Sequence, residues 1–487
     1  MTEPVVALLD VIRSLAFVGD LSMGQPTDHS PRAAWIAAQL ANEAGADPAG
    51  CTRASAVSLL RWSGCTANAP EFAQLFGDDV SGRKALLATQ SSDSAFRSGT
   101  RSKGSAFLSL SRIHCEVSGD IAAQLGLDEE TQFALRHLFE SHDGSGAPDG
   151  LRGEQVPAPV YTAAIAGDLE IFTRLYGRER ACKLIAERAG ALYPPALADI
   201  ALANAERWLT ALDDDPGLSG ACSLDAGFSG RTTSLEILAH VVDLKLPWMT
   251  GYSLQVAQLA RNAALQLGLD AASQHRVYCA ALIHGMGRAS VPNMVWDTPG
   301  RLADSAWERI RLVPYWTGRA ARQIGSLAGV AEIASYAYER QDGSGYFREL
   351  KAGAVPIEGR ILAAAAAFAA LRVERPWRAA HTEQAARDLL TAEAAAGRYD
   401  TEVVRALLDK PRSQSTRSPA ASSTALLTER ERDVLRWISR GASNKVAAQK
   451  LGISPSTVRT HVESVFRKLD AGTRAAATLK ATQLGLI

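Results

Sequence analysis

Two long stretches of this chain are copies of one unit, and that duplication limits the folds open to it more than any other feature. HSPRAAWIAAQLANEAGAD (His29–Asp47) aligns without gaps with YSLQVAQLARNAALQLGLD (Tyr252–Asp270), and the same register sets LLRWSG (Leu59–Gly64) opposite LIHGMG (Leu282–Gly287). A second block repeats farther along: FESHDGSG (Phe139–Gly146) matches YERQDGSG (Tyr338–Gly345), and the register holds to Gly167 against Ala366. A repeat this long means two similar domains and not a short-period solenoid. Inside the blocks apolar residues recur at helical spacing, as at Val256, Leu259, Ala263 and Leu267, the pattern of helices that bury one face. Alanine runs such as Ile361–Ala370 and an aromatic content of only 6% favour helix over sheet. The expected fold class is all-α.

Stretches rich in Pro, Gly and Ser mark the joints. DDDPGLSGACSLDAGFSG (Asp213–Gly230) and PRSQSTRSPAASST (Pro411–Thr424) lack apolar periodicity and read as linkers. The division that follows is 1–212 for the first copy, 213–232 for a linker, 233–410 for the second copy, 411–425 for a second linker and 426–487 for a third domain. Ser91–Ser105, also polar, lies inside the first copy and reads as a mobile loop. The six cysteines are far apart, without a C-x-x-C pair, and MTEPVVALLD lacks a basic n-region. Reduced thiols and a cytoplasmic, soluble protein with no membrane partner are therefore expected.

Charge separates the last domain from the rest. From Leu427 to the end there are 11 Lys and Arg against 5 Asp and Glu, a net of +6, which leaves −6 on the remainder of a chain whose total is zero. A basic module on an acidic body points to one part that meets a polyanion. In that module Thr428 and Glu431 form a capping box, Val434, Leu435 and Ile438 give a first apolar stripe, and Gly441 ends the helix. Ser443 caps a short second helix, Gly452 makes a turn, and Ser454 with Pro455 opens a third whose apolar face is Val458, Val462, Val465 and Leu469. On or beside its outward face stand Ser456, Thr457, Arg459, Thr460, His461, Ser464 and Lys468, and Lys445 lies in the preceding helix. Such polar and cationic side chains suit base edges and phosphates.

This ordered pattern resembles the LuxR-type (GerE-like) helix-turn-helix, a four-helix module. The resemblance implies that the helix from Ser454 to Leu469 enters the major groove of double-stranded DNA. It also implies that the last helix, Thr473 to Leu484, helps two modules pair on a two-fold site.

AALIHGMGRASVPNMVWDTPGRL and YERQDGSGYFRELKAGAVPIEGRILAAAAAFAAL, in the second copy, resemble the HD-GYP family of helical, metal-dependent phosphohydrolases acting on cyclic dinucleotides. The likeness covers most of Leu235–Leu408 and, more weakly, Val6–Leu209. Chemistry of that kind needs closely spaced metals held by imidazole and carboxylate. In the second copy the positions that match the family's ligands are Tyr252, His284 with Gly285, Val313, Ala337 with Tyr338, and Ala366. In the first they are His29, Arg61 with Trp62, His114, Leu138 with Phe139, and Gly167. One ligand survives in the second copy and two in the first, so no catalytic residue and no metal site is expected. Asp143 and Asp342, each followed by Gly-Ser-Gly, keep the family's tight turn.

The expected protein is a DNA-binding regulator, a homodimer, whose catalytically inactive HD-like domains sense a small molecule or hold the dimer together. No cofactor is expected, and the identity of any ligand is open. His29, Trp62, His114 and Phe139 in the first copy, and Tyr252, His284, Tyr338 and Tyr346 in the second, are the candidate lining of a ligand pocket. Two alternatives stay open: a phosphohydrolase with a metal site rebuilt around His29 and His114, and a body that serves only as a dimerisation scaffold.

Overall fold

The computed structural model describes residues 4–89, 101–219, 227–351, 353–409 and 426–487. The fold is all-α, as expected. The strands among the described residues are Val5–Ala7 and Thr232–Ser234, paired in one small sheet. Side-chain caps set many helix starts: Asp47 accepts from the Gly50 amide, Asp270 from Ser273, Asp400 from Glu402 and Val403, and Thr382 from Ala385. Each cap satisfies a donor that the first helical turn leaves open.

The chain divides into two compact units, Ala7–Thr233 and Ser234–Ile487 with Met1–Val6. Each unit is built on the same three-helix core. In the first, His29–Glu43, Pro48–Leu60 and Ala158–Tyr176 pack on one another; in the second, Tyr252–Gln266, Ala271–Ile283 and Ile357–Arg372 do so. Ile36, Leu40, Val57, Leu60, Ile165, Leu169 and Phe172 are fully buried in the one, and Val256, Val277, Ile283, Ile361 and Leu362 in the other. Each such side chain is worth about 1.5–3 kcal/mol of burial.

The copies agree in polar detail as well. Asp20 accepts from the Ser30 amide and hydroxyl at 3.0 and 2.6 Å, and Asp243 accepts from those of Ser253 at 2.8 and 2.7 Å. In the two DGSG turns Asp143 accepts from the Ser145 amide and Asp342 from the Ser344 amide, both at 2.9 Å, while Gly144 and Gly343 take φ of 79° and 81°. A Cβ on Gly146 would stand 2.4 Å from the Ser141 nitrogen, and one on Gly345 2.3 Å from the Arg340 nitrogen. The turn survives because its backbone leaves no room for another residue.

The structure corrects two readings at the joints. Arg101–Ser105, read as part of a polar loop, opens the helix Arg101–Gln124, and the stretch 91–100 lies outside the described residues. Asp213 and Asp214, read as linker, end the helix Pro195–Asp214, and Asp213 is held by Arg32 at 2.8 Å. Of the same linker, 220–226 lie outside the described residues, as does the whole of Pro411–Thr424. Cys51, Cys65, Cys115, Cys182 and Cys279 are free thiols. Among the described residues no helix is long and apolar enough to cross a membrane.

Candidate functional site

The C-terminal helices form as their caps dictate. Thr428 and Glu431 make the reciprocal capping box that starts Glu429–Ser439. Ser443 caps Asn444–Leu451, and Gly452, at φ 65°, ends that helix in a left-handed conformation open to glycine. Ser454 caps Pro455–Leu469, and Thr473 caps Arg474–Gln483. Val458, Val462, Val465 and Leu469 turn inward onto Val434, Leu435, Ile438, Ala447 and Ala448. The opposite face of the helix Pro455–Leu469 therefore meets solvent: Ser456, Thr457, Arg459 and Thr460 are exposed and His461 half-buried, with Lys445 exposed on the neighbouring helix. Arg459 rests on Glu463 at 2.9 Å, an exposed pair that costs little to break. Replacing Arg459 by Ala is expected to weaken specific DNA binding by roughly 1–3 kcal/mol through loss of a base contact. A footprint and affinity like those of the unchanged protein would remove Arg459 from the reading face.

Two of the expected DNA contacts face the protein instead. Ser464 donates to Glu431 Oε1 and Lys468 to Glu431 Oε2, both at 2.7 Å, and both side chains are half-buried. Their place one and two turns past the exposed cluster swings them onto the first helix. The last helix is also engaged. Ala477 and Ala481 join the module's core, while Ala476 and Leu479, on a neighbouring face, are equally buried. The helix lies against Glu236–Asp243 of the second HD-like domain, and Thr250 of that domain donates to the Ser439 carbonyl at 2.9 Å. The helix assigned to pairing modules is thus covered by its own chain.

In the first copy, Trp62, His114 and Phe139 line a cavity of about 470 Å³, together with Arg61, Phe72, Leu138, Asp168, Arg188 and Tyr193. His29 does not. It lies in the core with Nδ1 2.5 Å from Glu170 Oε2, and Arg174 holds the other carboxylate oxygen. Burial disfavours both charges, but Glu170 raises the pKa of His29, and His29 with Arg174 lowers that of Glu170. Both shifts favour the ion pair, and with Nδ1 engaged by Glu170 the ring is committed within the core. His114 is the opposite case. Burial pushes its pKa down to about 3, so it is neutral, and its Nε2 donates to the Arg61 carbonyl at 2.8 Å. The two imidazoles proposed for a rebuilt site are thus tied to different partners, with pKa values shifted in opposite directions. Among the described residues no three His, Cys, Asp or Glu side chains stand together as a metal shell.

The second copy is arranged around Arg288, which the sequence reading missed. Its guanidinium lies 4.9 Å from the Tyr252 ring, donates to Tyr338 Oη at 3.2 Å and to His284 Nε2 at 2.8 Å, and stands 3.7 Å from Asp243. Because arginine only donates, His284 accepts through Nε2, so Nδ1 carries the proton and donates to the Ala281 carbonyl at 2.5 Å. Burial and the adjacent guanidinium push the His284 pKa to about 3. The one surviving ligand position therefore has both nitrogens engaged, and these residues do not fit a metal. Tyr252 donates to the Ala366 carbonyl at 2.8 Å, and Tyr338 stacks on Tyr346 at 5.1 Å. Tyr252, Tyr338 and Tyr346 line a cavity of about 320 Å³ with Trp296, Trp307 and Arg375, whereas His284 is buried behind Arg288 and does not line it.

Known proteins share these features. Residues 236–403 match the HD domain family, and residues 425–481 match the luxR family of bacterial regulatory proteins. The 3'3'-cGAMP-specific phosphodiesterase 3 of Vibrio cholerae is 25% identical over 404 residues, with 77% of this chain and 88% of that protein covered. A solved cyclic GMP-AMP-specific phosphodiesterase of V. cholerae shares the fold, with a TM-score of 0.60 at 22% identity, over 83% of this chain and 97% of that one. The transcriptional regulatory protein NarL of Mycobacterium tuberculosis is 35% identical over 100 residues, which cover 18% of this chain and 46% of that protein. The chain thus joins an HD domain of the HD-GYP type, related to cyclic dinucleotide phosphodiesterases, to a DNA-binding domain of the LuxR family.

Proposed function

We propose that the protein is a cytoplasmic transcription regulator in which both HD-like domains are catalytically silent and serve as a sensor for a small molecule. The observation that carries this reading is Arg288. A fixed guanidinium, bonded to His284 and Tyr338 and packed on Tyr252, stands among the positions that hold metal in the parent family. A cation there repels a metal ion and consumes the remaining ligand. The exposed polar face of the helix Pro455–Leu469 supplies the output. Ligand in a body cavity acts by shifting the balance between arrangements of the DNA-binding modules. Pairing of two modules through the helix Arg474–Gln483 competes with its seat on Glu236–Asp243, which offers one element for such control. The active form is a homodimer on double-stranded DNA.

The test is native mass spectrometry of the full-length protein, followed by incubation with 3'3'-cGAMP and cyclic di-GMP. Metal-free protein, no linear product, and saltable binding to DNA fragments enriched from a random pool are expected. Two metal ions per chain, with hydrolysis lost in His284→Ala, would replace this reading with that of an enzyme. DNA affinity indifferent to every co-purified or added small molecule would leave the body a scaffold.

A further inference from the structure

The cavity of the first copy holds an arginine that has no ion-pair partner among the described residues. Arg61 follows the helix Pro48–Leu60, and its guanidinium reaches the wall of the 470 Å³ cavity. Its NH1 donates to the Ala163 carbonyl at 3.0 Å and its Cζ lies 4.6 Å from the Trp62 ring centroid. Among the described residues no carboxylate stands within ion-pair distance of it. The nearby Asp168 is already committed, to Arg188 at 2.6 Å and to the Tyr193 hydroxyl at 2.8 Å. Arg83, which also lines the cavity, is spent on Asp79, Asn68 and two backbone carbonyls.

Gly167 is what lets Arg61 sit there. A Cβ at that position would lie 2.5 Å from Arg61 NH1. The duplicated position in the second copy is Ala366, where Tyr252 and Arg288 instead close the site on their own partners. Burial lowers the Arg61 pKa from its ordinary value, which signals the cost of a charge held away from water. A half-buried guanidinium with one neutral acceptor keeps donors to offer. Much of the wall is aromatic and aliphatic, through Trp62, Phe72, Leu87, Leu138, Phe139 and Tyr193, and Glu140 is the carboxylate on it besides Asp168.

The geometry points to a binding site in the first copy for an organic anion with a flat apolar body, such as an aromatic carboxylate or sulfonate, whose anionic group pairs with Arg61. A half-buried guanidinium facing a ligand carboxylate or sulfonate gives short, charge-assisted hydrogen bonds, and the apolar part of the wall takes the body of the ligand. Glu140, whose Oε2 is buried without a hydrogen-bond partner among the described residues, stands on the same wall and disfavours a second anionic group on the ligand. This site rests on the reading of the body as a sensor and names what it senses.

The probe is 1-anilinonaphthalene-8-sulfonate, with N-phenyl-1-naphthylamine as its counterpart without the sulfonate. Fluorescence titration of the full-length protein is expected to give one sulfonate site per chain, bound at least tenfold tighter than the neutral probe. Loss of a charged hydrogen bond in Arg61→Met should weaken the sulfonate by roughly 10- to 100-fold and leave the neutral probe unchanged. Arg61→Lys, which keeps the charge, should restore most of the affinity. Equal sulfonate affinity in wild type and Arg61→Met overturns the site, as does equal affinity of wild type for the two probes, which needs no variant to fold. The same samples are then titrated with DNA. Arg61-dependent binding that leaves DNA affinity unchanged supports the site and counts against sensing, whereas loss of Arg61 dependence removes the site and leaves DNA regulation standing.

Discussion

Gly287→Ala is expected to destabilise the second HD-like domain by about 3 kcal/mol, near the top of the usual range for overpacking. A Cβ on Gly287 would stand 2.0 Å from the Val313 carbonyl oxygen and 2.8 and 2.9 Å from the Thr317 nitrogen and hydroxyl. The first two are backbone atoms and cannot rotate away. Relief requires the helix Val313–Ala321 to move, and that helix is tied to the same turn: the Gly287 amide donates to Thr317 Oγ1, which in turn donates to the His284 carbonyl, each at 3.0 Å. One methyl group therefore breaks two buried hydrogen bonds as well as the packing. Calorimetry of the full chain should show the affected transition lower by roughly 6–12 °C, at about 2–4 °C per kcal/mol for a domain of this size. Gly318→Ala, on that same helix, is the control. Its nearest new contact is the Ser335 Cβ at 3.5 Å, ordinary van der Waals distance, so it should be neutral or slightly stabilising through lower unfolded-state entropy. A melt of Gly287→Ala that overlays the wild type would show that the contact is not as tight as drawn. Gly64, the matching residue of the first copy, would place its Cβ 2.3 Å from the His114 carbonyl, so the constraint belongs to the repeated unit.

The parts of this protein legible in its sequence are those where local rules and burial agree. The caps at Thr428, Ser443 and Ser454, the inward stripe Val458, Val462, Val465 and Leu469, and the DGSG turns each depend on residues adjacent in the chain. The duplicated core was legible because both copies carry the same helical periodicity. Partners distant in sequence are not legible in this way. Residue type alone suggests pocket positions for His29 and His284, but Glu170 lies 141 positions from His29, and Arg288 fills the space beside His284. Arg61 was visible only as a lost ligand, although an arginine at a position that held a cation's ligand is itself a signal: both devices place positive charge where an anion binds. The charge of Lys468 and its place near the reading face suggest a phosphate contact. Its sequence does not reveal that Glu431, 37 positions earlier, waits across the helix pair.

Glu431→Gln should therefore cost the DNA-binding module about 3 kcal/mol at neutral pH, although it changes one oxygen for one nitrogen. Burial opposes the charged carboxylate, yet the hydrogen bonds from Lys468, Ser464 and Thr428 outweigh it and hold the Glu431 pKa down to about 2 from an ordinary 4.5. A shift of that size corresponds to about 3 kcal/mol of stability. Because the folded pKa is lowered, the contribution is complete above pH 4.5 and disappears as pH falls towards 2. Wild type and Glu431→Gln are expected to differ most at pH 7 and to converge in that acid window, as read by amide exchange across residues 429–469 of the full chain. Equal protection at pH 7 would remove Glu431 as the link between the first helix and the helix that reads DNA. Lys468 supplies an independent check. With its ammonium committed to Glu431 at 2.7 Å, Lys468→Met should reproduce much of the loss in stability and leave the salt dependence of DNA binding unchanged. A salt slope smaller by about 0.9 in Lys468→Met, the value for one phosphate contact, would instead place that ammonium on the DNA backbone and require the Glu431 pair to open when the module binds.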